Sequence, residues 1–234
     1  MSDLVQSRRA LLIVDMQRGL FNGAEPPHEG ARVLDNINLL IARARATHAP
    51  IFAARHTGPK GSPIEPGSAL RQLLADLHVD AERDVTFDKT RPSCFAGTGL
   101  AQWLRDAKVD ELAIVGMKTE YCVDTTCRAA SELGWRTVLI EDAHTTTDAP
   151  GLSAQAIVAH HNRVLSGPFV NSRAPPTTCF KAPARCAGVS LSVHAQCASS
   201  AVRVKLSVDR EGTAGRDGRQ NETRPVTGAR GSFG

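Results

Sequence analysis

The segment ALLIV at residues 10–14, running directly into Asp15, Met16 and Gln17, decides the architecture. Five consecutive apolar residues ending on a carboxylate form a strand covered on both faces, as in a parallel sheet; a half-exposed antiparallel strand would alternate instead. Outward from it, strand and helix signals take turns. Residues 31–47 carry Val33, Ile37, Leu40, Ile41 and Ala44 at helical spacing, an amphipathic helix with one face to the sheet. A second strand at 51–54 opens into a Gly/Pro-rich loop at 58–67, followed by a short helix near 68–77. Further strands are expected at 85–87, 112–115 (LAIV) and 137–140, and a possible sixth at 164–170. Helices are expected at 99–107, at 122–133 with Gly134 as its C′ residue, and at 153–161. This alternation predicts an α/β fold, a three-layer αβα sandwich with a mostly parallel six-stranded sheet and right-handed crossovers.

Composition separates body from tail. Of the 234 residues, 41 % are apolar, enough for a packed core, and the formal net charge is +4. Residues 1–170 hold 18 Lys and Arg against 20 Asp and Glu, whereas residues 171–234 hold 10 against 4. The body is therefore mildly acidic and the positive excess belongs to a low-complexity tail of Ala, Arg, Ser, Gly, Thr and Pro, expected to be disordered. That excess is thinly spread, with no Lys/Arg cluster and no interleaved aromatics, so no nucleic-acid partner is expected. No run approaches the roughly 18 apolar residues of a membrane span, and the polar start lacks the apolar region of a secretory signal. With no zinc or redox C-x-x-C pattern, Cys94, Cys122 and Cys127 of the body read as free thiols, and the expected location is cytoplasmic. Cys179, Cys186 and Cys197 fall in the tail.

Ligands of a parallel sheet bind beyond the carboxyl ends of its strands. Asp15, Lys89 and the segment 116–122 stand at three such ends and should converge on one crevice. Neither G-x-G-x-x-G after a strand, nor a P-loop, nor a G-x-S-x-G elbow is present. Cys122 instead sits where a helix opens, and there the helix dipole and unpaired N–H groups favour a thiolate and can hold an oxyanion. Asp15 is the candidate proton acceptor. Lys89 supplies a fixed positive charge. Taken singly, Asp15 reads as a turn residue, Lys89 as a solvated lysine and Cys122 as a buried small hydrophobe. Their convergence on one edge favours chemistry.

Four ordered stretches then carry a family resemblance: LLIVDMQ at 11–17, FDKTRPSCF at 87–95, GMKTEYCVDTTCRAA at 116–130 and DAHTTTD at 142–148. Together they resemble the isochorismatase-like cysteine hydrolases, from about residue 10 to 169. The resemblance implies an Asp15–Lys89–Cys122 triad, a cis peptide between Met117 and Lys118, and an oxyanion hole from the N–H groups of Lys118 and Cys122. It implies cleavage of C–N bonds in small amides, ureas or carbamoyl compounds, and a homo-oligomer, dimer or tetramer. One branch of the family cleaves the vinyl ether of isochorismate and generally lacks the cysteine, so Cys122 favours the amide branch. A catalytically silent scaffold is the other rival, disfavoured by the complete triad. Nicotinamidases of the family hold a metal through Asp-x-His after strand two. Here alanine stands where that aspartate should be, beside a lone His56, so neither metal nor cofactor is expected.

Phe21, His56, Tyr121 and Thr146 are candidate pocket residues, with packing as the competing reading for Phe21 and Tyr121 and a structural hydrogen bond for His56. His144 and residues 145–147 either line the crevice or cap the last helix. His160 and His161 are expected to end that helix, and Cys94 and Cys127 to be core.

Overall fold

The computed structural model describes residues 8–170, 172, 173 and 180. The expected disorder of the tail, and its three cysteines, lie outside these residues. Six strands, β1 (Arg9–Val14), β2 (Ile51–His56), β3 (Val85–Lys89), β4 (Glu111–Met117), β5 (Arg136–Thr145) and β6 (Ser172–Arg173), form one sheet in the order β3-β2-β1-β4-β5-β6. All the pairings are parallel. The helices are α1 (Arg18–Phe21), α2 (Gly30–Ala46), α3 (Leu100–Asp106), α4 (Asp124–Glu132) and α5 (Ala154–Leu165). The strand order reverses between β1 and β4, which sets the crevice of such a sheet beside the carboxyl ends of those two strands. Among the described residues no helix is long and apolar enough to cross a membrane.

Strand alternation divides the core in two. Leu11 and Ile13 of β1 join Ala113 and Val115 of β4 against Val33, Ile37, Leu40 and Ile41 of α2. Ala10, Leu12 and Val14 face the other way, with Leu112 and Ile114, onto Leu100 and Leu104 of α3 and Cys127 and Ala130 of α4. Every apolar residue of β1 is thereby covered, as its unbroken hydrophobic run requires.

Three local expectations are corrected. The helix expected near 68–77 is one 3-10 turn, Ala69–Arg71. The following residues instead bond the exit of β1, with Leu74 N–H donating to Met16 O at 3.0 Å and Arg18 N–H to Gln72 O at 2.9 Å. The sixth strand lies beyond 164–170: α5 runs on to Leu165, whose burial against the core favours one more helical turn. Residues 166–170 form a turn through Gly167 at φ +102°, and β6 then pairs Ser172 with Val138. His160 and His161 are therefore inside α5 and do not end it. Finally, β5 is ten residues long and bulged, pairing Ile114 with Leu139 but Gly116 with His144. Five steps along β5 match two along β4, which carries His144 and Thr145 up beside Gly116 and Met117.

Gly116 is where β4 must lie close to β1. It holds φ +118°, and a Cβ there would stand 2.1 Å from Val14 O and 2.7 Å from Val14 N. Both atoms belong to the central strand and cannot turn aside as a side chain can. Gly116→Ala is expected to destabilise the fold by about 3 kcal/mol or more, measured as a lowered urea midpoint.

Candidate active site

Asp15 leaves β1 with φ +53°, a left-handed conformation that Asp and Asn tolerate better than most residues. Its carboxylate Oδ2 lies 2.8 Å from Lys89 Nζ, and both side chains are fully buried. Lys89, the last residue of β3, also reaches Cys122 Sγ, His56 Nδ1 and Arg91 O, each at 3.2 Å. Four acceptors thus surround three N–H donors. The Asp15 carboxylate also accepts a hydrogen bond from the Cys122 thiol. A buried acceptor is costly unless it has a proton or a donor to take. The structure therefore brings Asp15, Lys89 and Cys122 together at the predicted edge.

Burial sets the protonation states. It pushes the Asp15 carboxyl up, a push that the Lys89 ammonium only partly offsets. For Lys89 burial pulls down most strongly, but the Asp15 charge and hydrogen bond together with the charges of Cys94 and Cys122 outweigh it and hold the ammonium above the ordinary lysine range. Burial and then the Asp15 charge push the Cys122 thiol up to about 12, against the pull of Lys89. This corrects the expected helix-stabilised thiolate. Cys122 does not open an α-helix; it lies in a π-helical turn, Thr119–Val123, with α4 starting two residues later. At rest the sulfur is a thiol beside a carboxylate of raised basicity, a pair suited to proton transfer. Cys94 and Cys127 are fully buried, and burial raises both thiols as well; they are core, as expected.

The peptide bond between Met117 and Lys118 is cis. After it, the turn is clasped residue by residue from the end of β5. Lys118 Nζ donates to Thr147 Oγ1 at 2.9 Å, Thr119 Oγ1 pairs with His144 Nδ1 at 2.9 Å, and Thr146 Oγ1 donates to Glu120 Oε1 at 2.9 Å. His144, Thr146 and Thr147 therefore hold the cysteine's turn and do not cap α5, whose first N–H groups are met by Asp148 Oδ1 and Ser153 Oγ.

The expected pocket residues fall in different surroundings. Phe21 packs on the α2 core, with its ring over Gly30. Tyr121 is 59 % exposed, one residue before Cys122. Thr146 is buried with its hydroxyl committed to Glu120. His56 does sit at the site, with its ring accepting from Lys89 and kept neutral by burial and by the ammonium's charge.

Gln17 has no precedent in the sequence reading. Its amide brackets the His56 backbone, accepting from His56 N–H at 2.7 Å and donating to His56 O at 2.9 Å. It thereby extends the β1–β2 ladder past Asp15. Its place two residues after Asp15 in the first motif was the only available signal.

Asp15, His56 and Cys122 each offer a ligand atom within 4.8 Å of the others, a mixed O/N/S set of the kind zinc accepts. The Lys89 ammonium, however, lies within 3.2 Å of all three. Ala54, two residues before His56 on β2, offers no ligand atom. These residues do not fit a metal held through Asp-x-His.

The buried ring of His144 gives the site a pH-dependent stability. Burial lowers its pKa from 6.5 to about 4. Between those values the unfolded chain binds the proton and the native one does not, so stability is full above pH 6.5 and lost as pH falls toward 4. The loss should reach about 3 kcal/mol. Urea midpoints across pH 4–7 should show that slope, and His144→Gln should flatten it.

The isochorismatase domain model matches residues 9–165. A streptothricin hydrolase of Streptomyces noursei is 42 % identical over 148 residues, 61 % of this chain and 51 % of that protein. A second, from the same organism, is 37 % identical and covered over 62 % of its length. The chain thus spans about half to three fifths of these curated relatives. The nicotinamidase of Escherichia coli K12 is 30 % identical over 57 % of this chain and 81 % of its own. The crystal structure of an isochorismatase family protein superposes with a TM-score of 0.65 at 34 % identity, covering 70 % of this chain and 96 % of that one.

Proposed function

The chain belongs to the isochorismatase family, and from that premise we propose that residues 1–170 form a cysteine hydrolase cleaving the C–N bond of a small amide, urea or carbamoyl compound. The observation that carries this reading is the buried Lys89 ammonium set between the Asp15 carboxylate and the Cys122 sulfur. The naming of relatives as streptothricin hydrolase and nicotinamidase supports an amide C–N bond as the target.

In this mechanism the Cys122 thiol passes its proton to Asp15 and the sulfur attacks the carbonyl carbon. Negative charge gathers on the carbonyl oxygen, which the backbone N–H groups of Lys118 and Cys122 receive. Lys89 keeps its proton throughout and offsets the charge moving between sulfur and carboxylate. Asp15 returns the proton to the leaving nitrogen, the C–N bond breaks, and ammonia or an amine departs, leaving a thioester. Asp15 then takes a proton from water, whose oxygen attacks the thioester. The collapse releases the acid and restores the thiol. His56 orients Lys89 and borders the reacting group.

A scaffold role is disfavoured by the same cluster, because a silent protein has no need of a buried ion pair set against a thiol. Vinyl ether cleavage is disfavoured by Cys122. We further place the chain as a homo-oligomer in a reducing, cytoplasmic setting, consistent with the free thiols of Cys94, Cys122 and Cys127. Sedimentation would show the dimer or tetramer.

The test is ammonia or amine release across a panel of small amides, ureas and carbamoyl compounds, including streptothricin and nicotinamide. Release by the wild type that Cys122→Ala abolishes is the expected result. Catalytic activity toward isochorismate alone, or none toward any member, would overturn the reading.

A further inference from the structure

Three hydrogen bonds run from a backbone carbonyl on β5 through His144 to the first residue of the cysteine's turn. Asn162 Nδ2 donates to Glu141 O at 3.0 Å, which leaves the amide oxygen Oδ1 as the acceptor facing His144. His144 Nε2 lies 3.0 Å from that oxygen, and its Nδ1 lies 2.9 Å from Thr119 Oγ1. The direction of every bond follows from the first. An amide oxygen can only accept, so Nε2 carries the hydrogen; Nδ1 is then an acceptor, and the Thr119 hydroxyl must donate to it. Both His144 and Thr119 are buried, with 2 % and 0 % exposure, so water does not replace the bond between them, while Asn162 stands half-buried at the cleft. The β5 bulge is what lifts His144 to this position, opposite Gly116.

We infer that His144, held as the neutral Nε2–H tautomer by Asn162, is a positioning residue that docks Thr119 and so sets the turn carrying Cys122 and the Lys118 and Cys122 N–H groups. Thr119 immediately follows Lys118, and three residues later stands Cys122. A turn freed at Thr119 loses the alignment of sulfur with the oxyanion donors without losing any group that touches substrate. The cost falls on the rate of the bound complex more than on binding. The kinetic part of this inference rests on the proposed amidase reading; the tautomer and the docking of the turn do not.

Protonation reverses the last bond of the chain. An imidazolium presents N–H at Nδ1, so the Thr119 hydroxyl can only accept there and its own hydrogen must find another acceptor. The groups around the ring oppose and favour that charge in known directions. His161 of α5 opposes it, Glu141 and Asp142 on β5 flank it, and His28, Glu29 and Arg32 line the cleft above it together with Asn162. Asn162→Asp would place a carboxylate on Nε2–H and favour the imidazolium, moving its pKa up by about 1–3 units.

The experiment has three arms. In the first, side-chain ¹⁵N NMR of the full chain, with His144 assigned by its loss in His144→Gln, should show a protonated Nε2 and an unprotonated Nδ1 at pH 7. An Nδ1–H tautomer or an imidazolium there would overturn the inference. The second compares Thr119→Val with Thr119→Ser. The valine variant should lose about tenfold or more in kcat with KM within about twofold, and the serine variant, which restores the hydroxyl, should recover the rate. Equal rates in all three proteins overturn it, as does a loss confined to KM. Asn162→Asp should shift the acid limb of kcat upward by at least about one pH unit, which a merely structural asparagine would not do. The third arm needs no turnover: hydrogen exchange at Tyr121 and Val123, whose N–H groups both bond Lys118 O at 3.2 Å, should quicken in Thr119→Val and not in Thr119→Ser. If the wild type hydrolyses no amide, the proposed function fails while this arm and the NMR still decide the docking. Unchanged exchange would then sink the positioning role.

Discussion

Cys122→Ala is expected to lower amide turnover by about 10⁴-fold or more with little loss of stability. The sulfur is the one atom at the site that can form the thioester, so nothing else takes over its step. Stability is spared because Lys89 keeps Asp15 Oδ2, His56 Nδ1 and Arg91 O when the sulfur is removed. No buried charge is orphaned. Peptide mapping after iodoacetamide provides the companion measurement: of the three described cysteines, Cys122 should be modified in the native protein, slowly because its thiol is raised to about 12, while the fully buried Cys94 and Cys127 should not. Turnover surviving in Cys122→Ala at more than a few per cent would place the nucleophile elsewhere.

The second large effect separates two roles of one carboxylate. Asp15→Asn should slow turnover by about 10³-fold or more, yet it should increase the thiolate fraction of Cys122. After burial, the Asp15 charge is the main influence raising the Cys122 thiol, and Lys89 acts against it. Removing the carboxylate leaves the ammonium to stabilise the thiolate, so its absorbance should appear at lower pH than in the wild type. The nucleophile is then more available and catalysis is still lost, because no group remains to protonate the leaving nitrogen or to activate water. Asparagine suits the left-handed backbone at position 15, so the fold should persist. The double variant Asp15→Asn/Cys122→Ala is the informative control. It deprives a fully buried ammonium of the carboxylate and of the thiolate that would take its place, and should be less stable than either single variant by about 3–5 kcal/mol, a non-additivity visible in urea midpoints. Additive stabilities would mean that Lys89 does not exchange its charge partner, and would remove the basis for the proton route.

The bulge in β5 shows why part of the site was not legible. The run 137–140 is apolar enough to announce a strand, but residues 141–145, EDAHT, are not, and they read as a loop. They join the strand because β4 beside them continues to Met117 and offers backbone partners to His144 and Thr145. A neighbour in space, absent from the local pattern, made the decision. The same holds for the segment 68–77, where the expected helix gave way to backbone bonds with the exit of β1, and for Leu165, which stayed helical because the core covers it.

Asp15, Lys89 and Cys122, by contrast, were legible because Asp15 and Lys89 stand at strand ends and Cys122 closes the segment 116–122 that leaves a third strand. In a parallel sheet all such ends face one way, so the sequence by itself determined the strand-and-helix alternation and which three residues meet. Their states were decided only in three dimensions. Whether Cys122 rests as thiol or thiolate depends on how fully the surrounding layers exclude water and on the charge of a carboxylate more than a hundred residues away. The bracketing of His56 by Gln17 and the clasp of residues 118–120 by His144, Thr146 and Thr147 likewise join groups 25 or more residues apart. Hydrophobic periodicity is a local signal and carries the fold; dielectric environment and hydrogen-bond direction arise from packing, and only the folded chain has them.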